Sequence, residues 1–428
     1  EERYRTPLAI TFAFVATHNH FVLDRGGKVF KQSAPVIKLP EGASEDDHLA
    51  LLAVLNSSTA CFWLKQVSHN KGNGGIGGGI GDEDWEPRYE FTGTKLEQYP
   101  LLMESPVERG RALDGLAQRL SAATPAAVLA DQGESADLTV ALRAAEQEWS
   151  ALRRRMIFEQ EELDWDVYRR YGLIDEDLTY AGHAIDRIDL GQRAFEIALA
   201  RKVSAGEEET AWFARHGSTP ITDLPAHWPA GYRDLVERRL VAIESNPHLR
   251  LLERPEYKRR WATASWEAQQ TAALRALALD RLERADLWRD TQGARTLSVA
   301  QLADLVRGDS VLDQALALLA GTAQYERVPT LVALLKDEAV PFLAAYRYAE
   351  TGLEKYREWQ RVWDLQRRED AGERVEIPVP PRYQPKDFRG SAWARRGKLD
   401  VPTARFIASP RLARTGDTSP VLGWAGWD

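Results

Sequence analysis

Leu138, Leu142, Ala145, Trp149, Leu152 and Met156 recur at spacings of 4, 3, 4, 3 and 4. That period fits one face of an α-helix and no strand. It predicts a long helix starting near Asp137, ended by Gly172, and packed as an antiparallel hairpin against the helix before it. The helix then runs into wording that periodicity alone does not produce. Glu161-Glu162-Leu163-Asp164-Trp165 leads to Tyr168-Arg169-Arg170-Tyr171-Gly172-Leu173, and Leu252-Glu253-Arg254-Pro255-Glu256-Tyr257-Lys258-Arg259-Arg260-Trp261 follows later. A generic amphipathic helix needs neither run.

Around that helix the chain divides by pattern. Residues 1–104 read as a β-rich domain. Leu8 to Thr17, Phe21 to Leu23, Val29-Phe30 and Val36 to Leu39 have extended character, with turn chemistry at Asp24-Arg25-Gly26-Gly27. Ser44 with Asp47 forms a capping box before a single helix expected over Leu49 to Val67. Residues 105–182 read as a helical hairpin, with Ser105 as N-cap, Pro106 in the first turn, and Leu113, Leu116 and Leu120 on one face. Residues 183–371 read as a helical domain, including a capping box at Ser298 and Gln301 and a charged amphipathic stretch from Leu353 to Arg368. Residues 372–428 form a Pro-rich, basic segment of irregular structure. The fold class is α+β, predominantly α.

At 428 residues the chain is long enough for two or three domains. It opens in strand-like sequence without a methionine, which reads as a piece of something longer. No apolar run approaches the roughly 20 residues of a membrane helix, so no membrane partner is expected and the compartment is read as cytoplasmic. The lone Cys61 excludes an internal disulfide and, beside Phe62 and Trp63, reads as a buried thiol. The net charge of −8 opposes a uniformly basic surface. Between Pro381 and Arg414, however, nine Lys and Arg face two Asp, a local +7. Such a patch attracts phosphate, unless it is solvated or spent on intramolecular ion pairs.

Several short motifs carry little chemistry. Gly72-Asn73-Gly74-Gly75-Ile76-Gly77 matches a dinucleotide loop only in spelling, because a helix precedes it and Asp82, Glu83 and Asp84 follow. It reads as a flexible loop or as one ordered against DNA. His18-Asn19-His20 lacks further ligands and reads as a structural pair. Glu256-Tyr257-Lys258 ends like a nuclease site, but Pro255 breaks the strand such a site needs. The chain shows no catalytic constellation of its own.

Other unusual strings are Val29-Phe30-Lys31-Gln32-Ser33-Ala34-Pro35-Val36-Ile37, Leu51-Leu52-Ala53-Val54-Leu55-Asn56-Ser57-Ser58 and Lys95-Leu96-Glu97-Gln98-Tyr99-Pro100. Further on come His216-Gly217, Leu224-Pro225-Ala226-His227-Trp228-Pro229, Ala339 to Tyr348, Arg396 to Pro402 and Gly423 to Trp427. With the two runs above, they resemble the C-terminal region of the PglX family, the adenine-specific DNA methyltransferases of BREX phage-exclusion systems. The resemblance implies a target-recognition-like domain at the N-terminal end. It implies an intact protein that transfers a methyl group from S-adenosylmethionine to adenine N6. The Asn-Pro-Pro-Tyr-type loop and the glycine-bearing cofactor loop of that chemistry are missing, since the one Asn-Pro here is Asn246-Pro247 before His248 and Leu249. The resemblance therefore places the catalytic core upstream, leaves this fragment with no cofactor and no catalytic residue, and makes double-stranded DNA the expected partner, along with other BREX-system proteins.

Reading of DNA by such a domain uses Asn or Gln for adenine and Arg or Lys for guanine. Lys28, Lys31, Gln32, Asn70, Lys71 and Arg88 are the candidates in the β-rich part, each either a base contact or a solvated side chain. Lys258, Arg259 and Arg260, with Arg395, Arg396 and Lys398 in the basic segment, are candidates for phosphate or for another subunit. The competing reading is a protein-interaction scaffold that docks other phage-defence components.

Overall fold

The structure is a computed structural model; it describes residues 8–26, 28–71, 86–131, 137–182, 185, 188–291, 293–341, 347–394, 404–408 and 417–425. The fold is α+β and predominantly α. The chain forms two compact units, Glu1–Ala127 with Ala144–Ser265, and Val128–Arg143 with Trp266–Asp428.

The first unit starts with strands β1 (Ala9–Phe12), β2 (Val15–Ala16), β3 (Phe21–Asp24) and β4 (Val36–Ile37). β1 lies between β3 and β4, antiparallel to both, with Ile10 opposite Leu23 and Ile37. Val29 and Phe30, expected to be extended, join no strand, and Val29 is largely exposed. The capping box at Ser44 forms as expected: the Asp47 amide donates to Ser44 Oγ, and the Ser44 amide donates to the Asp47 carboxylate. The single helix predicted beyond it is two, α1 (Glu45–Leu55) and α2 (Ser58–Val67). The break is made by side chains rather than by glycine or proline. Asn56 accepts from the Phe21 amide and donates to the Phe21 carbonyl, each at 3.0 Å, while Ser57 caps α2 by accepting from Ala60 N. Two short strands, β5 (His69–Asn70) and β6 (Tyr89–Glu90), pair with each other, and β2 pairs with β6 on its other side. The one-turn helix α3 (Gly93–Leu96) closes this β-rich part around a core that includes Ile10, Phe12, Phe21, Leu52, Leu64, Phe91 and Tyr99.

Helix α4 (Val107–Ala122) starts one residue later than a Ser105 cap implies, with Pro106 as its N-cap. Its leucines are only half-buried. What is buried is Gly110, where a Cβ would stand 2.3 Å from the Leu49 carbonyl oxygen. That contact lets α4 lie directly on α1. After α5 (Pro125–Ala130) comes α6 (Leu138–Arg170), opened by Asp137 Oδ1 accepting from Thr139 N and Val140 N. It ends at Gly172 (φ +67°), where Leu173 N donates to Tyr168 O. The expected antiparallel hairpin forms against α4, with Arg119 paired to Glu148 and Arg109 to Glu159. Of the seam residues, Leu138 and Leu142 join the core of the second unit; farther along α6 and off that seam, Ile157, Trp165 and Tyr168 join a core of the first with Tyr232, Leu240 and Leu249. The period identified the face but not what covers it. The first unit is completed by α7 (Ala194–Ser204), α8 (Trp212–His216), α9 (Ala230–Ser245), α10 (Pro247–Leu252) and a 3-10 turn at Pro255–Tyr257.

The second unit contains α11 (Trp266–Leu282), α12 (Ala285–Trp288), the hairpin β7 (Arg289–Asp290) and β8 (Gly293–Ala294), β9 (Leu297–Ser298), α13 (Val299–Leu305), α14 (Ser310–Ala320) and α15 (Arg327–Leu335). The chain ends through β10 (Ala339–Pro341), α16 (Glu350–Asp370), β11 (Phe406–Ala408) and β12 (Val421–Trp424). These last strands form a mixed sheet in the order β10-β11-β12-β9, so the segment read as irregular supplies two strands. Ser298 caps α13 in the box expected from its sequence. Among the described residues, no helix is long and apolar enough to cross a membrane.

The two glycines of α4 make opposite expectations. Gly110→Ala drives a methyl into the Leu49 backbone and is expected to lower stability by about 1–3 kcal/mol. Gly115→Ala, with nothing within 4 Å of the added carbon, is expected to raise it by up to about 1 kcal/mol. Urea denaturation of both variants checks the pair.

Candidate nucleic-acid interface

The two unusual runs meet inside the first unit. Asp164 on α6 is buried and accepts from Ser58 N (2.8 Å), Ser58 Oγ (2.6 Å) and Lys258 Nζ (2.9 Å). Lys258 also donates to Glu253 at 2.7 Å, and Glu253 accepts from the Tyr168 hydroxyl at 2.6 Å. Two residues earlier, Glu162 binds Arg239 at 2.7 Å and accepts from Tyr180 N, with Arg239 lying over the Trp165 ring. Arg193 holds Glu196 through two bonds of 2.9 Å, and Trp212 Nε1 donates to the same carboxylate. Burial alone would push the Lys258 ammonium down, but the Asp164 and Glu253 carboxylates outweigh it and hold it above the ordinary lysine value.

That placement corrects the expectation for Lys258. Its side chain is 1% exposed and committed to two carboxylates, so it is not available to a phosphate. Lys258→Met leaves both carboxylates buried without their counter-charge and is expected to cost about 3–5 kcal/mol. Arg254→Ala, which breaks an exposed pair with Glu256, is expected to cost about 1 kcal/mol or less. Chemical denaturation of the two variants separates the cases.

The neighbouring residues point elsewhere. Arg259 is half-buried and donates to Asn56 Oδ1 (3.1 Å) and to His20 Nε2 (2.8 Å), and burial pulls its guanidinium down to about 10. Because arginine only donates, His20 accepts as a neutral imidazole, and Arg259, followed by burial, brings its pKa down to about 3. His18 lies 5.4 Å from it, ring to ring, and is brought to about 2, first by burial and then by Arg260, His20, Arg259 and Lys65. Among the described residues, no group of His, Cys, Asp and Glu is arranged to hold a metal. Cys61 is buried and its thiol is pushed up by desolvation.

The remaining candidates fall into separate groups. Lys28, Lys31 and Gln32 are exposed between β3 and β4. The β5–β6 pairing brings together Asn70, Lys71 and Arg88. Asn70 is exposed opposite Tyr89, and Lys71 N donates to Arg88 O while its ammonium reaches Glu90 at 2.7 Å. Arg260 pairs with Glu86 at 2.7 Å. Arg395, Arg396 and Lys398, and the glycine run Gly72 to Gly77, lie outside the described residues. Within the basic segment, Arg405 is spent on Asp280 and Glu283.

Beside β6 a cleft of about 390 Å³ is lined by Lys65, Tyr89, Arg215, Tyr257 and Arg260, among others. Lys65 donates to Glu86 and to the Glu256 carbonyl, and its ammonium sits 5.5 Å from the Tyr89 ring centre and 6.0 Å from that of Tyr257. Arg260 lies over Trp212. Lys65, Arg215 and Tyr257 were not among the sequence candidates. The one signal for Lys65 was a charge inside the apolar run Phe62-Trp63-Leu64.

Residues 156–428 match the family model described as "Domain of unknown function (DUF7008)". The chain belongs to the DUF7008 family. It is 52% identical over 438 residues to "Adenine-specific methyltransferase PglX" of Streptomyces coelicolor, an alignment covering 98% of this chain and the C-terminal 36% of that protein. The chain thus spans about a third of that relative's length. No solved structure matches the chain. The DUF7008 segment begins within α6, so it contains Asp164, Tyr168, Glu253 and Lys258, while the β5–β6 candidates lie before it.

The depressed His18 has a consequence for acid stability. Its folded pKa lies below the unfolded value of 6.5, so the unfolded chain takes up the proton first, and stability falls as pH drops from about 6.5 toward 2. At pH 5 this amounts to at most about 2 kcal/mol. His18→Gln is expected to reduce the drop in melting temperature between pH 7 and pH 5; an unchanged drop would place the acid sensitivity in other groups.

Proposed function

We propose that this chain is the DNA-recognition and accessory region of an S-adenosylmethionine-dependent adenine-N6 DNA methyltransferase that acts in phage defence. The observation that carries the reading is the 52% identity, over nearly the whole chain, to a protein named as an adenine-specific methyltransferase. The partner is double-stranded DNA in the cytoplasm, with other components of the defence system as further partners. In the first unit the exposed Asn70 suits an adenine edge, and Lys71, Lys28 and Lys31 suit phosphate.

The Asn246-Pro247 pair does not offer the base grip that methyl transfer to adenine needs. The Asn246 amide is consumed locally: its oxygen accepts from His248 N and Leu249 N to cap α10, and its nitrogen donates to Leu173 O. The amide oxygen is thus already taken up by two backbone donors, and no step of methyl transfer is assigned to this chain.

Titration against duplex DNA at about 50 and 200 mM salt tests the reading. Displacing about four phosphate counterions predicts an affinity loss of roughly a hundredfold between the two salts. Lys31→Glu with Lys71→Glu is expected to flatten that slope, and Asn70→Ala to relax sequence preference without flattening it. No binding at the lower salt sinks the reading. A scaffold that docks other proteins then takes its place, favoured by Trp363 at 56% exposure on α16 and Val379 at 94%.

A further inference from the structure

The cleft beside β6 brings together cations that are distant in sequence. Lys65 comes from α2 and Arg260 from the segment after the 3-10 turn, yet both bind one carboxylate, Glu86. Arg215 on α8 adds a third, exposed cation to the lining. The other lining carboxylate, Glu256, is held at 2.7 Å by Arg254, which does not line the cleft. Two tyrosines, Tyr89 and Tyr257, flank the Lys65 ammonium. A volume of about 390 Å³ falls within the usual size of small-ligand pockets.

A carboxylate bridging a lysine and an arginine occupies the position an acidic ligand would take. Arginine presents a planar fork that suits phosphate oxygens, and tyrosine faces suit a base or sugar. The surroundings are electropositive beyond the cleft itself: Arg260 and Lys65 both help keep His18 neutral, and Arg260 and Arg215 act in the same sense on His216, after burial in each case.

We propose that this cleft binds a nucleotide phosphate, which displaces Glu86 from Arg260 and Lys65 while the rest of the nucleotide lies against Tyr89 and Tyr257. The inference rests on the DNA-recognition reading for its preferred source, a phosphate of the DNA backbone; a free nucleotide offers the same chemistry. Glu86 then acts as an internal competitor, so its removal strengthens binding.

Calorimetric titration of the full chain with pyrophosphate, AMP and a duplex oligonucleotide, each at low salt, tests this. Glu86→Gln is expected to tighten pyrophosphate and AMP binding about tenfold, and Arg215→Glu, an exposed position that does not threaten folding, to weaken it by about the same factor. Parallel changes in duplex affinity identify the DNA backbone as the source. AMP binding that responds to both substitutions, with duplex affinity indifferent to them, identifies a free nucleotide and keeps the cleft. Failure of pyrophosphate and AMP to bind either the unsubstituted chain or Glu86→Gln overturns the cleft, even if duplex DNA binds. Binding of AMP without any duplex binding sustains the cleft and overturns the DNA-recognition reading instead.

Discussion

The first unit depends on how the acidic stretch of α6 is neutralised. A carboxylate removed from water costs several kcal/mol unless its lone pairs are taken up. Asp164 solves this with Ser58 at the start of α2 and with Lys258, about a hundred residues away on either side. Glu162 solves it with Arg239 of α9 and the backbone of Tyr180. Each pairing has one geometry, so the helix, the β-rich part and the helices after it share one register. Apolar contacts alone would tolerate a slide of a turn; a buried ion pair does not. The Tyr171 hydroxyl, accepting from Tyr99 at 2.9 Å and donating to Pro100 O, ties the end of the β-rich part to the end of α6 in the same way.

What could be read from the sequence was what is decided within a few residues. The capping boxes at Ser44 and Ser298 and the left-handed stop at Gly172 are local, and each formed where the residues placed it. The split between α1 and α2 was not legible, because Asn56 breaks the helix in order to hold Phe21, thirty-five residues earlier. The second sheet was hidden for a similar reason. Its strands have two to four residues each, and β12 finds β9 across more than a hundred residues. A heptad spacing is equally silent on more distant partners, and so one helix could serve two cores.

The candidate site was legible only in outline. Charge and side-chain type pointed to Asn70, Lys71, Lys31 and Gln32, and these are on the surface. The same criteria pointed to Lys258, which is not, because a sequence gives the charge of a residue without its counter-charge. The reverse error hid Lys65: a lysine among Phe62, Trp63 and Leu64 looks like a solvated interruption, yet it lies 4% exposed against Glu86 at the edge of a cleft. An overall charge of −8 is no guide here, since it is an average over the chain and does not say which charges are paired inside, as Asp164, Glu162, Glu196 and Glu253 are with Lys258, Arg239 and Arg193, and which stand at the surface.

The triplet Lys258, Arg259 and Arg260 joins the two halves of this argument. Three consecutive cations go to three different places: Lys258 to the buried carboxylates, Arg259 to Asn56 and His20 at the edge of β3, and Arg260 to Glu86 in the cleft. Such a run invites interpretation as a phosphate-binding patch, where the charges would act together. Here each position has a separate role, and the first fixes the others. With Lys258 tied at 2.7 and 2.9 Å, the backbone carrying Arg260 has little freedom, and the guanidinium reaches the cleft without having to be ordered when something binds there. The interior electrostatics of α6 thereby fix the position of a cation at the cleft two residues farther along the chain.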